Sequence, residues 1–373
     1  MKKIFSLLMA FVLMLSMFVL GACDSNENTS DKCVVCKEFG NETVYKLDGK
    51  DMEIGYPCLE CGYVKDPIEV IKCDFTVSAD ESNAVTRIQY ENPGVDLVIG
   101  VKKGYYDKIF VGDSERSVHV VAEDGTQVVV AQCNGGANGV TFENFYFYTD
   151  PTSRGTMSQV KFETAGEHAY WSNVVIKNCL FEGKSKIDSS WKNGVIENMT
   201  VIGTTFRNLT GWGAGAGSAC AIFTDENWGE TIIKDCVFDN IDYAAIRFGR
   251  VSTEGYFLIE NCFFREIGNK DEYNSKTKED KPDGKPDGNA CIMFSSKNSK
   301  LAGDDSVDVV NITLEVNNCV FADSSVFSYS KSSNAKVNSQ FIIGANTWLS
   351  IPTSISGATQ YDIRQQLLYE GEI

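Results

Sequence analysis

The chain has 373 residues, and its 34 basic and 51 acidic residues give a formal net charge of -17 at pH 7. Nucleic acid and anionic lipid head groups are therefore poor partners, and a polyanionic glycan would need a local basic patch. The acidity also suits the solubility of an extracellular protein. The length accommodates one large repeat domain and a small N-terminal module.

Residues 1–22 have the pattern of an export signal, with two lysines followed by a long apolar run. The signal closes on Leu20-Gly21-Ala22-Cys23, which resembles the bacterial lipobox. The resemblance implies cleavage before Cys23 and lipid attachment to its sulfur, so that this anchor alone would hold the exported lipoprotein to a membrane, at the cell surface or on a periplasmic face. The alternative is an ordinary signal peptide with an incidental cysteine. No later stretch approaches the ~18 to 20 apolar residues of a membrane-spanning helix.

Residues 23–32 are polar and aperiodic, as expected of a flexible tether. Residues 33–79 contain two C-x2-C pairs, which resemble those of a zinc ribbon. The resemblance implies that Cys33, Cys36, Cys58 and Cys61 bind one structural zinc ion. Two disulfides, which an oxidising compartment favours, and a rubredoxin-like iron site are the alternatives. The module is too short for its own apolar core, so the metal or the cross-links would supply much of its stability.

Residues 80–90 are expected to form a capping helix, because a repeat domain would otherwise expose its terminal apolar interior and free strand edges. The run from Arg87 to Val130 then resembles the entry segment of pectin-esterase-type β-helices, with turns at Gly104 and Gly125. We therefore expect the first stacked strands to begin in this run.

A short pattern repeats through the rest of the chain. An apolar residue lies two positions before a residue that tolerates a left-handed turn, and a Phe usually lies three positions after it. The turn residues, which we call the corner positions, are Asn144, Asn178, Gly203, Asp235, Asn261, Asn318 and Gly344. The apolar residues before them are Phe142, Ile176, Val201, Ile233, Ile259, Val316 and Ile342. The residues three positions after them are Phe147, Phe181, Phe206, Phe238, Phe264, Phe321 and Thr347.

Short strands on either side of an Asn-type corner resemble the rungs of the pectin-lyase-like superfamily, over about Ala84 to Trp348. The resemblance implies an all-β fold, a right-handed single-stranded parallel β-helix over residues 80–350, with about seven or eight rungs. Residues 351–373 would form a C-terminal tail or cap. One fold hosts many functions, so the resemblance says little about chemistry.

The positions after the corners include Cys179, Cys236, Cys262 and Cys319. They occupy an inward position, where a thiol acts as a small apolar filler. Parallel stacking also aims their side chains poorly for disulfides. We therefore predict buried free thiols and no metal or redox centre.

A third strand precedes the corner pattern in several copies. Its alternation places Ile222, Ile246 and Ile292 inward, so Phe223, Arg247 and Met293 point outward. Equivalent residues of stacked parallel strands lie about 4.8 Å apart, so these three side chains should form one row. This row is the candidate binding surface.

Residues 269–288 interrupt the rungs with a charged, Pro- and Gly-bearing insertion that could wall the row. Asp280, Asp283 and Asp287 could bind calcium. Their spacing does not match an EF-hand loop, however, and a solvated surface loop is the simpler interpretation.

Residues that would hold a glycan cluster around the predicted row. An eliminase would need a base and a cation beside a uronate carboxylate, but the family catalytic motifs are missing, and neither His119 nor His168 lies in a recognisable constellation. The catalytic residues are therefore unknown, and surface ion pairing is the alternative role of each charged residue. The candidate substrate-binding residues are Phe223, Asp225, Arg247, Arg250, Met293 and Lys297.

Three functions fit the sequence. The first is a lipid-anchored β-helix that binds polysaccharide, with uronate units the expected ligands, along its outer strand face. The second is a divergent polysaccharide lyase or hydrolase, and the third is a structural or adhesive surface protein. The aromatic and arginine row favours the first two over the third, and the missing catalytic motifs favour the first over the second.

Overall fold

The chain folds into a parallel β-helix, as predicted. The computed structural model describes residues 43–57, 64–81, 83–112, 116–134, 138–152, 158–163, 170–189, 195–210, 220–225, 227–249, 255–268, 291–296, 310–322, 327–331 and 337–348. By its contacts the chain divides into two compact units. One comprises residues 1–43 and 55–67, and the other comprises residues 44–54 and 68–373.

Three N-terminal strands precede the solenoid in the sequence. They are β1 (Val44–Asp48), β2 (Asp51–Pro57) and β3 (Val64–Ile71), which form one sheet in that order. A single helix, α1 (Ala84–Glu91), then follows within the described residues and matches the predicted cap.

Face A of the solenoid is a ten-stranded parallel sheet. Its strands are β4 (Phe75–Val77), β5 (Leu97–Val101), β7 (Val118–Ala122), β9 (Val140–Glu143), β12 (Tyr170–Lys177), β15 (Val195–Ile202), β18 (Asn227–Lys234), β21 (Gly255–Glu260), β24 (Val310–Asn317) and β27 (Val337–Ile343).

Two further faces diverge from β8 (Gln127–Asn134), which also pairs with β6 (Tyr105–Val111). Face B comprises β10 (Tyr146–Thr149), β13 (Leu180–Gly183), β16 (Thr205–Leu209), β19 (Val237–Ile241), β22 (Phe263–Ile267), β25 (Val320–Ala322) and β28 (Thr347–Trp348). Face C comprises β11 (Ser158–Glu163), β14 (Ser185–Asp188), β17 (Cys220–Asp225), β20 (Ala244–Gly249), β23 (Ile292–Ser296) and β26 (Phe327–Lys331). The described part of the chain thus contains six complete rungs, from β9 to β26, with two-strand coils on either side.

The corner positions between faces A and B form the predicted ladder. Six of the seven residues have positive φ, from 52° to 61°: Asn144, Asn178, Gly203, Asp235, Asn261 and Asn318. Two neighbouring corners bond directly through their side chains, since Asn261 Nδ2 donates to Asp235 Oδ1 over 3.1 Å. The apolar residues two positions earlier pair in register from Phe142 to Val316.

The prediction for the last corner is wrong by one residue. Ile343, not Ile342, pairs with Val316, and Trp348, not Thr347, pairs with Phe321. Gly344 therefore lies opposite Asn317 and has no left-handed backbone conformation. Because the shift turns its side chain outward, Ile342 is 39% exposed.

The interior is a continuous apolar core with an aromatic column along face B. Adjacent rings lie 4.5 to 5.0 Å apart and are nearly parallel. The column consists of Phe147, Phe181, Phe206, Phe238, Phe264 and Phe321, all fully buried. The prediction for the cysteines is confirmed, because Cys179, Cys236, Cys262 and Cys319 are buried and free. Burial raises the pKa of the Cys179 thiol to about 12.

Two shorter left-handed ladders were not predicted. Asn208 and Asn240 have positive φ near the end of face B, and Asn240 Nδ2 donates to Asn208 Oδ1 over 2.9 Å. Asn173, Asn198 and Gly229 form the other ladder within face A. Each has few copies, so the sequence pattern alone does not reveal it.

Candidate functional site

The outward row of face C is built as the sequence predicts. Phe223 pairs in register with Arg247, and Arg247 pairs with Met293. The inward neighbours Ile222 and Ile246 are fully buried, whereas the three row residues are half-buried. The strand alternation therefore places an aromatic ring, a guanidinium and a thioether in one line on the outer side of the sheet.

The register extends this row by two charged residues that sequence reasoning missed. Asp188 pairs with Phe223, and Lys161 pairs with Asp188. Lys186 lies two residues before Asp188 on the same side of β14, and its Nζ is 2.6 Å from Asp188 Oδ2. The alternation in Lys186-Ile187-Asp188, with Ile187 fully buried, was a sequence signal for this arrangement.

The Phe223 ring lies between two cations. The Arg247 guanidinium carbon is 4.8 Å from the ring centroid, and Lys186 Nζ is 5.7 Å from it. Both distances are within the ~6 Å over which a ring face attracts a cation. The Phe223 ring therefore lies within cation–π distance of two positive groups.

The site is partly shielded from water. Lys186 and Asp188 are only 6% and 1% exposed, although both point outward from the sheet. Phe223 and Met293 pack against a small apolar cluster of Cys220, Tyr243 and Ala244. Burial raises the pKa of the Cys220 thiol to about 11, while the nearby charges of Arg247 and Lys186 act in the opposite direction. Electrostatic contacts in such an environment are stronger than on an open surface.

The remaining predicted residues fall in different places. The backbone of Asp225 lies in β17, in register with Gly249. The other predicted site residues lie outside the described residues: Arg250, Lys297, Asp280, Asp283, Asp287, Cys23, Cys33, Cys36, Cys58 and Cys61. Among the residues that are described, no group of three or more His, Cys, Asp or Glu is arranged to hold a metal ion.

A second polar cluster lies on face A and gives His119 a carboxylate partner that the sequence did not reveal. His119 Nε2 is 2.9 Å from Glu143 Oε2, and Lys177 Nζ is 2.9 Å from Glu143 Oε1. Tyr45, on β1, donates its hydroxyl hydrogen to Glu143 Oε1 over 2.8 Å. Asn178 Nδ2 donates to the Tyr45 hydroxyl over 2.5 Å. Sequence reasoning missed this cluster because Tyr45 and Asn178 are 133 residues apart.

The cluster holds a buried carboxylate in its charged form. Burial by itself would raise the pKa of Glu143, but hydrogen bonds from His119, Lys177 and Tyr45 outweigh it and keep that pKa below its ordinary value. Burial and the adjacent Glu143 charge raise the pKa of Tyr45. All three donors are directed at Glu143, so this cluster fastens β1 to the outer side of face A. The outward row of face C is therefore the better candidate for ligand binding.

Comparisons with family models, with curated proteins and with solved structures give no match to this chain. Within the described part of the chain, no helix has the length and apolar character needed to span a membrane.

Proposed function

We propose that this protein binds an acidic polysaccharide along the outward row of face C, with uronate units as the recognised groups. The observation that supports this proposal is a pair of cations, Arg247 and Lys186, beside the Phe223 ring of an acidic chain. The outer side of face C places Lys161, Lys186 and Arg247 on neighbouring strands with Asp188, and Glu163 and Asp225 occupy outward positions of β11 and β17, whereas the whole chain has a formal charge of -17.

The chemistry of the row suits a sugar acid. An arginine offers paired donors to a carboxylate, and the partial shielding of the site strengthens that contact. Phe223 offers an apolar surface on which the C–H face of a sugar ring can stack. The ~4.8 Å spacing of parallel strands lets one extended chain contact several rungs in succession.

The cellular setting is part of the same proposal. A lipid anchor at Cys23 would hold the exported protein to a membrane, and a metal-bound or disulfide-linked module at residues 33–79 would lie beside the tether. A polysaccharide at the cell surface would then be the ligand within reach. Metal content and thiol titration of the purified protein distinguish zinc, iron and disulfides at Cys33, Cys36, Cys58 and Cys61.

The test is a glycan array probed with the wild type, Arg247→Ala and Lys234→Ala. Lys234 is the matched control, because it is a surface cation paired with Glu260 on face A. We expect acidic glycans to bind the wild type and Lys234→Ala equally. Arg247→Ala should bind them about ten- to a hundredfold more weakly, as the loss of a hydrogen bond to a charged group implies. Equal profiles for all three proteins would move the site elsewhere.

The same glycans also test the lyase alternative. A lyase leaves an unsaturated sugar that absorbs in the ultraviolet, whereas a binding protein leaves the glycan intact. Absorbance that rises with time and with protein concentration would show that the glycan is cleaved. The function proposed for this row would then be catalysis instead of simple binding.

A further inference from the structure

The outer side of face B carries a row of charges. The order of their signs is complementary to that of the same row in the opposite direction. One outward residue from each of the four strands β13, β16, β19 and β22, in consecutive register, gives the row Glu182, Arg207, Asp239 and Arg265. Its signs alternate from acidic to basic. Within the chain these residues form two pairs: Arg207 Nε lies 2.6 Å from Glu182 Oε1, and Arg265 bonds Asp239 through two nitrogens at 2.6 and 2.7 Å.

Beside this charged row runs a second outward row that is mostly apolar. Its register is Leu180, Thr205, Val237, Phe263 and Val320. Val237 is 37% exposed, and the other four residues are half-buried. The apolar row and the charged row beside it are the two components of a protein interface, an apolar patch and a polar rim.

We propose that face B is the contact surface of a homodimer with a two-fold axis parallel to its strands, passing between Arg207 and Asp239. This axis places face B of one copy against face B of the other, with the order of the strands reversed. The charged row of one copy then lies opposite the charged row of the other. Glu182 then faces Arg265 of the second copy, and Arg207 faces Asp239 of the second copy. Every acidic residue of the row meets a basic one, because an even number of alternating signs is complementary to its own reversal.

The apolar row obeys the same operation. The axis places Val237 opposite Thr205 of the second copy, and Phe263 opposite Leu180 of the second copy. A two-fold axis along the solenoid would instead set each charge against a like charge or against the apolar row. The surface therefore favours one symmetry and one partner, a second copy of this chain, in the self-complementary manner of two-fold interfaces.

The expected dimer is weak. Four rungs at ~4.8 Å give a charged row about 14 Å long, so the interface belongs to the smaller size class of protein contacts. We expect dissociation constants in the micromolar range, with association weakened by salt because exposed charges are screened.

The test is analytical ultracentrifugation of the purified full-length chain from about 1 μM to 1 mM, a range that covers micromolar affinities. The wild type should shift from monomer to dimer. Arg207→Glu and Asp239→Arg should each remain monomeric, since each sets two like-charged pairs across the axis. An equimolar mixture of the two variants should dimerise again, because the two introduced charges would face each other and the native Asp239 of one variant would face the native Arg207 of the other. The mixture therefore also shows that both variants are folded.

Lys234→Glu is the matched control, since it breaks an in-chain pair of the same kind, Lys234 with Glu260, on face A. It should dimerise like the wild type. A wild type that stays monomeric throughout the range would overturn the proposal. So would single variants that dimerise as strongly as the wild type, or a mixture that stays monomeric while each variant retains the wild-type circular dichroism spectrum.

Discussion

At single residues, the solenoid depends on backbone conformations that few side chains adopt. Gly203 is one corner of the ladder, with φ of 61°, and a Cβ there would collide with Asn178 Oδ1. Its neighbours fill the same position with Asn or Asp. At this rung, glycine leaves room for the side-chain amide of the rung before it.

Gly203→Ala should lower the free energy of unfolding by more than the ~1 to 2 kcal/mol that a left-handed conformation costs alanine. Gly94→Ala is the matched control, because Gly94 also has positive φ, 78°, but has nothing within 4 Å of an added Cβ. Urea denaturation should show the larger loss at Gly203. In an Asn178→Ala background, the further loss caused by Gly203→Ala should be smaller than in the wild type. Equal losses at the two glycines would contradict the collision.

Glu143 is the residue whose ionisation ties β1 to the solenoid. Its pKa is lower in the folded chain than its ordinary value of 4.5, so the bound carboxylate stabilises the fold fully above that pH. The stabilisation is lost as the pH falls below 4.5 and through the lower folded pKa. The loss follows because protonation removes the charge that His119 and Lys177 contact.

Glu143→Gln should therefore reduce the free energy of unfolding at pH 7 by about 1.5 to 3 kcal/mol, the range for hydrogen bonds to a charged group. It should also flatten the acid limb of the stability profile. Glu260→Gln removes a more exposed carboxylate, 27% accessible and paired with Lys234, and should cost at most about 1 kcal/mol. A Glu143→Gln variant with the wild-type acid limb would rule out this role.

Among the elements, each strand of face B packs one side into the core and leaves the other side partly exposed. Phe264 lies in the aromatic column, 4.8 Å from both Phe238 and Phe321, and is fully buried. Phe263, the preceding residue of the same strand, points outward and is half-buried. Substituting Phe263 and Phe264 one at a time therefore compares surface contact with core packing at one place in the fold.

Phe264→Ala should destabilise the chain by about 3 to 5 kcal/mol, because it opens a cavity in a column that cannot collapse without moving its neighbours. Phe263→Ala should cost about 1 kcal/mol or less in dilute protein, where the proposed dimer contacts would not contribute. Thermal unfolding followed by circular dichroism compares the two variants. Similar melting temperatures would mean that the aromatic column is not the main source of the stability of the fold.

The repeat register was predictable because its signal has several parts. An apolar residue, a left-handed corner and a Phe recur together, and all six corners from Asn144 to Asn318 follow the pattern. The last rung was misplaced because Trp348 stands where the other rungs have Phe. The pattern therefore selected Gly344 as the corner, one residue too early. Turn-compatible residues are common, and one alone does not fix a register.

The candidate site was only partly predictable for a different reason. Phe223, Arg247 and Met293 follow from strand alternation, which is a local property. The burial of Lys186 and Asp188 depends on what surrounds the strand, and alternation alone assigns such residues to solvent. The cluster around Glu143 joins β1 to a distant rung, and no spacing in the sequence encodes that contact.

For the whole molecule, each face of the described solenoid carries a different cluster of side chains. Face A carries the Glu143 cluster that fastens the N-terminal strand, face B carries the alternating ion-pair row, and face C carries the cationic row around Phe223. The acidic total charge makes the cation cluster on face C a local exception. We propose that this cation cluster recognises the carboxylates of a glycan.

The most direct measurement is isothermal titration calorimetry with an oligosaccharide of uronate units and with its carboxyl-reduced, neutral counterpart. We predict that the wild type binds the acidic form about ten- to a hundredfold more tightly than the neutral form. In Arg247→Ala this preference should largely disappear, whereas Lys234→Ala should retain it. Equal affinity of the wild type for the two oligosaccharides, or an undiminished preference in Arg247→Ala, would contradict carboxylate recognition at this row.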